Sequence, residues 1–474
     1  MVQSAATALA RAAASSNFGT TDSSVRAAYR NFILDTLAVM VAGAAHPSIS
    51  AARAALFETG GSGKSSAVGF SSSGPAGAAA LVNGMALTVL QLQDGHRRAR
   101  GHPMSHVLPS ALAISEETGA SASSFLNAII AGYEVSARIG SALGGMQPLL
   151  HDTGTFGCIG AAVSAAYLLG EGRDSSSRAS LIENAIGNAA AVALFPFRDT
   201  CMEGASAHHL FVGLGVQNGI VAAKAAKAGL LPSNATLERF FGPRAGEAFV
   251  PAVMLEGIGE DGSWSHYEIT NAYLKWHPVC AHLGPMLDCI ELLREQLGVF
   301  DPSEVAEIRV ETYATALQYD SPNPSSDLAA RFSFRHAAAL AICFGPLKHD
   351  GFGQERLEHP EVLALVGKIK LQVDEQFDAL YPTNRPARVR LIRVDGKTES
   401  AEVLVPKGDG NQSLSRSDVD LKAQRLIDSV WDKSERAQLF ALVDSVEGNV
   451  RDDLVTQLGG LLRHPLRLDA SIAE

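Results

Sequence analysis

The chain has 474 residues, 46% hydrophobic but only 6% aromatic, with 50 acidic side chains against 39 basic ones for a net charge of -11. That length predicts two or three domains, and the acidic balance excludes a nucleic-acid binder, which needs a basic footprint. The five cysteines, Cys158, Cys201, Cys280, Cys289 and Cys343, are scattered without a disulfide framework, and the N-terminus reads as neither signal peptide nor membrane span, so a soluble cytoplasmic protein is expected.

From residue 25 to about 230 the pattern is a series of small-residue helices, predicted at 25–43, 77–92, 103–118, 123–143, 155–169, 180–194 and 211–229. Their apolar residues run nearly all round, so these helices are expected to bury one another rather than lie on a sheet. After about Tyr267 alternating runs appear at 305–312, 388–394 and 400–405. Asp395-Gly396 between the last two is a hairpin signal. Helices at 283–297, 335–344 and 360–370 lie between the strands, and two more, 418–430 and 433–446, follow. The predicted architecture is mainly α: a large all-α helical domain built from both chain ends, with residues 1–266 as its first part and 411–474 as its C-terminal part, and a smaller α+β domain inserted at 267–410.

Two nucleotide-like phrases fail. The run GSGKSS at 61–66 ends like a phosphate-binding loop, but Glu58 stands where the first glycine belongs, and Gly213-Leu214-Gly215 lies inside a helical run with no strand before it. Chemistry concentrates instead at 93–106, QDGHRRARGHPMSH, which gathers three histidines, three arginines and an aspartate. Pro103 suits the first position of a helix, so His102 is expected to cap its N-terminus, where free N–H groups attract an anion and a histidine moves protons. The four-residue step from His102 to His106 also suits a metal pair, with Asp94 or His96 as a further ligand, but spacing fixes no third ligand and no metal is assigned. Glu134 and Arg138 read as an ordinary i,i+4 helix pair, and Cys280 as a packing residue.

Three further stretches join this one: HDTGTFG at 151–157, GASAHHLFVGLGVQNG at 204–219 and KWHPVC at 275–280. With FILDTLAVMVAG at 32–43, VNGMAL at 82–87 and ARFSFRHAAALAICFG at 330–345, the chain resembles the MmgE/PrpD family over roughly residues 28–426. The resemblance implies the same two-domain layout, a homodimer, no cofactor, and an active site between the domains. His102, His151 and Lys275 fall at its catalytic positions. Departures are equally plain. Leu92-Gln93-Asp94-Gly95 keeps one carboxylate of an aspartate run of three; His96 replaces a threonine, His208 replaces a lysine, and His282 stands two residues after Cys280 instead of four.

The expected function is therefore a lyase or isomerase acting on a small di- or tricarboxylate through an enolate-like intermediate. A dehydratase stands first and an epimerase second, and a catalytically lapsed anion-binding relative is the non-enzyme alternative. His102 and His151 would exchange protons, Lys275 would neutralise a carboxylate or act as base, and Asp94 would orient an imidazole. His96, His208, Arg97, Arg98 and Arg100 are the expected substrate-binding side chains.

Overall fold

The computed structural model describes residues 4–57, 61–298, 301–448 and 450–467. It is mainly helical, with 21 α-helices and only small sheets among the described residues. No single helix there is long and apolar enough to cross a membrane.

Alanine and glycine set the packing of the larger helical body. Every residue of helix Gly157–Leu169 is buried, because Pro103–Thr118, Ala122–Ala142, Ser175–Val192 and Leu210–Lys227 surround it. Such crowding needs helices that approach closely. A Cβ on Gly160 would lie 2.6 Å from the Cβ of Ser136, and one on Gly132 would lie 2.7 Å from the Gly160 carbonyl, so larger residues would force these helices apart. The helices at Ser23–Ala44, Ala76–Val89 and Arg416–Ile427 extend the same body, the last starting at a capping box formed by Ser415 and Asp418.

The later region carries a four-stranded sheet in the order Ile369–Val373, Val305–Thr312, Ala387–Arg393, Thr398–Val403. The first pair is parallel and the others antiparallel. The last two strands form the hairpin expected at Asp395-Gly396, where Gly396 takes the left-handed φ of 87° that the turn demands. One expectation is corrected here. The helix foreseen at 360–370 stops at Val366, and Ile369 opens a strand instead, since Gly367 ends the helix and Ile369 pairs in parallel with Ile308.

Among the described residues two large apolar cores result, beside a small cluster around Phe57, Ala67 and Val82. One joins residues from Ala5 to Leu274 with residues from Leu414 to Leu462, so both chain ends build it. The other runs from Val279 to Ala401 and takes in Cys201. The backbone passes between them at 275–278 and 402–413, which sets Lys275 and Asp409 at the seam.

Candidate active site

A cavity of about 330 Å³ opens at that seam, walled by residues of both cores. Its sides come from the loops before and after helix Pro103–Thr118's neighbours: 100–102, 146–152, Lys275 with Cys280 to His282, and Tyr381 with Arg385. Four non-glycine residues among those described have a left-handed φ, and three belong here. Gln91 (53°) and Arg100 (51°) line the cavity, and Leu149 (69°) lies between two residues that do. Held strain of this kind gathers where geometry serves function.

His102 is the N-cap of Pro103–Thr118, with proline at the first helical position. Its Nδ1 donates to the carbonyl oxygen of Asp94, which can only accept. The proton of the neutral ring is thereby fixed on Nδ1, and Nε2 is left bare, 4.0 Å from Asp152 Oδ2. Burial, and then the Lys275 ammonium, hold its pKa well below the ordinary range, so the ring is neutral and Nε2 carries no proton.

His151 is set differently. Its Nδ1 lies between a donor, Thr153 N–H at 3.0 Å, and an acceptor, Asp152 Oδ1 at 3.2 Å. Either protonation state of Nδ1 therefore finds a partner, which suits a ring that gains and loses protons. Burial, helped by the Lys275 and Arg198 charges, lowers the His151 pKa, and the Asp152 charge offsets only part of this; burial in turn raises the pKa of Asp152.

Four cations line the cavity, Arg100, Arg198, Lys275 and Arg385, against two carboxylates, Asp152 and Glu247. In a chain of net charge -11 this local excess marks a site for an anion. Lys275 Nζ donates to the Gln91 carbonyl at 3.1 Å, and burial pushes its pKa down to about 8. Arg385 is buried over the Tyr273 ring and 3.5 Å from Asp409, and although burial opposes it, Tyr273 and Asp409 keep the guanidinium charged.

Several expected site residues take other roles. Asp94 does not orient an imidazole through its carboxylate. That group instead accepts from Met104 N, Ser105 N and Ser105 Oγ, satisfying the open end of the helix, so those N–H groups are closed to a substrate anion. Only its backbone carbonyl positions His102. Burial raises the Asp94 pKa to about 6. His96 is fully buried, receiving Ala99 N–H on Nδ1 and meeting Glu268 Oε2 at 3.1 Å through Nε2. Burial works against ionised Glu268, but His96 draws its pKa down to about 2. His96 is thus a loop anchor rather than a substrate contact, and its closed turn, with Arg100 N donating to the His96 carbonyl, delivers Arg100 to the cavity. Arg97 binds Asp409 and the Thr383 carbonyl, and Arg98 pairs with Glu256 at the surface, so neither lines the cavity. His208 stands behind the wall, its ring 5.0 Å from that of His151 and its Nε2 3.2 Å from Gln91 Nε2. The metal pair suggested by His102 and His106 is closed as well, because His106 spends Nδ1 on the His102 carbonyl and Nε2 on Gly154 N–H.

Asp152, Arg198, Arg385 and the aromatic group in which His282 bonds Tyr313 at 2.6 Å and stacks on Tyr319 are not among the residues expected from sequence. Adjacency to His151 was a usable signal for Asp152. Arg198 belongs to no motif and Arg385 opens the arginine-rich segment 385–393, and only folding brings these two to the cavity.

Family models for the MmgE/PrpD N-terminal domain and the MmgE/PrpD C-terminal domain match residues 7–245 and 277–447. A cis-aconitate decarboxylase-like protein of Aspergillus oryzae is 24% identical over 439 residues, covering 86% of this chain and 87% of its own. A cis-aconitate decarboxylase of Aspergillus terreus is 26% identical over 415 residues, with 82% of each chain covered.

Proposed function

Because this chain belongs to the MmgE/PrpD family, we propose that it is a lyase that eliminates water from a small di- or tricarboxylate by acid–base chemistry. The observation that carries this reading is the pairing, in one cavity, of a four-cation lining with two differently prepared imidazoles. Relatives named for cis-aconitate decarboxylation support a lyase acting on a small polycarboxylate.

Substrate carboxylates bind Arg100, Arg198, Arg385 and the Lys275 ammonium. The bare Nε2 of His102 removes the proton from the carbon beside a carboxylate. Negative charge then grows on that carbon and the carboxylate oxygens, where the fixed cations stabilise it in a water-poor site. His151, as imidazolium with its Nδ1–H on Asp152, gives a proton to the departing hydroxyl. Water and an unsaturated acid leave, and solvent takes the proton from His102 and returns one to His151, which resets both rings.

One observation favours a second reading. Asp94, the carboxylate kept from the family's aspartate run, is spent on the helix end, and swapping a proton between two imidazoles needs no acid for a leaving hydroxyl, so an epimerase fits the same site. Incubating the protein with a panel of small polycarboxylates in heavy water, followed by NMR, separates these. An unsaturated product supports the lyase, and solvent deuterium in recovered substrate without product supports the epimerase. Binding with neither result refutes both and leaves an anion-binding relative.

A further inference from the structure

Behind the His151 wall of the cavity a second cluster forms. His151, Cys201 and His208 reach it from a loop, from the short helix Asp199–Met202 and from the turn Ser206–His209. One donor atom from each lies within 4.8 Å of the other two, and all three side chains are buried. His208 Nδ1 is buried without a hydrogen-bond partner, and the Cys201 thiol points its proton at the Arg198 carbonyl, 3.0 Å away. A fully buried, unpaired ring nitrogen is costly, and its retention beside a thiol and a second imidazole calls for a ligand.

Two imidazoles and one sulfur suit a borderline-soft ion of the zinc class, and not magnesium or calcium, which take oxygen. We propose that His151, Cys201 and His208 bind one zinc-class divalent cation, and that its binding arrests proton transfer at His151. The ion site stands on its own geometry; the arrest rests on the function proposed above. On binding, the Cys201 thiol gives its proton to solvent and the sulfur binds as thiolate. When the ion takes Nε2 of His151, the ring proton sits on Nδ1 and is accepted by Asp152 Oδ1, 3.2 Å away, the carboxylate–histidine–metal arrangement that orients such ligands. The thiolate and Asp152 together balance the ion's charge. Tetrahedral donors sit roughly 3.5 Å apart, so side-chain rotation of about an ångström closes the cluster.

Cobalt(II) titrated into the metal-free protein tests the site. The expected result is one ion per chain with a near-ultraviolet thiolate-to-cobalt band, displaced by zinc. Cys201→Ser should remove the band, and both it and His208→Asn should weaken binding at least tenfold, while His277→Ala, in the separate His277–Asp288–Glu291 group, should leave the spectrum unchanged. Circular dichroism of each metal-free variant checks folding, and a zinc-dependent rise in the wild-type melting temperature gives a readout needing no variant. No band, or a band that survives Cys201→Ser, overturns the site. Zinc should also stop formation of the unsaturated product in the wild type but not in Cys201→Ser. Turnover that continues with the site filled overturns the arrest alone, whereas no turnover without metal counts against the proposed function.

Discussion

Replacing Lys275 with methionine should make the protein more stable at neutral pH while removing its activity. Burial lowers the lysine pKa from its ordinary 10.5 to about 8, and at about 1.4 kcal/mol for each pKa unit the charged form costs the fold about 3 kcal/mol. Methionine fills a similar volume without charge, but it leaves the Gln91 carbonyl without its donor, a loss of about 1–2 kcal/mol. A net gain of about 1–2 kcal/mol remains at pH 7. The sign with pH follows from the lowered pKa. Below about 8 both folded and unfolded lysine are charged and the fold bears the full cost; between about 8 and 10.5 the folded lysine loses its proton first and the cost disappears. Urea unfolding at pH 7 and pH 10 should therefore show the variant's advantage at the lower pH and its loss or reversal at the higher one. Turnover should fall at least 100-fold, on the order of the 3 kcal/mol or so that a charge-assisted contact contributes. Because stability rises as activity falls, unfolding cannot explain the loss. A variant less stable than wild type at pH 7, or a difference equal at both pH values, would refute the reasoning.

Changing His102 to Gln should lower kcat by about 10²–10⁴ with an unchanged circular dichroism spectrum; retention of a tenth of the wild-type rate rejects His102 as base. Arg100→Met should raise KM about 10- to 100-fold through one lost charge-assisted contact, whereas Arg98→Met should leave it unaltered, and equal effects in steady-state kinetics would show that the cavity is not the binding site. Asp94→Ala leaves two buried N–H groups unpaired and should cost about 2–4 kcal/mol in urea unfolding while the pH profile of kcat keeps its shape; a displaced profile would restore Asp94 to a direct part in the chemistry. Glu134→Gln should destabilise by about 3–5 kcal/mol, because Glu134 does more than pair with Arg138: in the interior it also receives Tyr29 Oη and the backbone N–H groups of Glu268 and Ile269. A change under about 1 kcal/mol in thermal unfolding would contradict this.

The helices were legible because their sequence signals are local. All-round apolar composition marked 103–118 and 155–169 as buried, and the structure gives helices at Pro103–Thr118 and Gly157–Leu169. Pro103 marked a helix start and Asp395-Gly396 a hairpin for the same reason. The strand Ile369–Val373 was missed because it is short, mostly exposed, and held by a parallel partner 61 residues earlier, Ile308. No nearby residue announces such a pairing.

At the site, proximity in sequence misled. Residues 94–100 lie together, and that closeness suggests His96, Arg97 and Arg98 as substrate contacts beside Arg100. The loop instead turns each away from the cavity to a different distant partner, Glu268, Asp409 and Glu256. Arg198 and Arg385, with nothing around them to suggest a role, line the cavity.

Sequence alone determined where helices start, which faces are apolar and which residue types can move protons, since these follow from propensities acting over a few residues. Tertiary structure alone decided which carboxylate serves which histidine. The helix end consumed Asp94 and left Asp152 beside His102 and His151, because an orphaned N–H in the interior takes the nearest acceptor regardless of the chemistry that acceptor might otherwise perform.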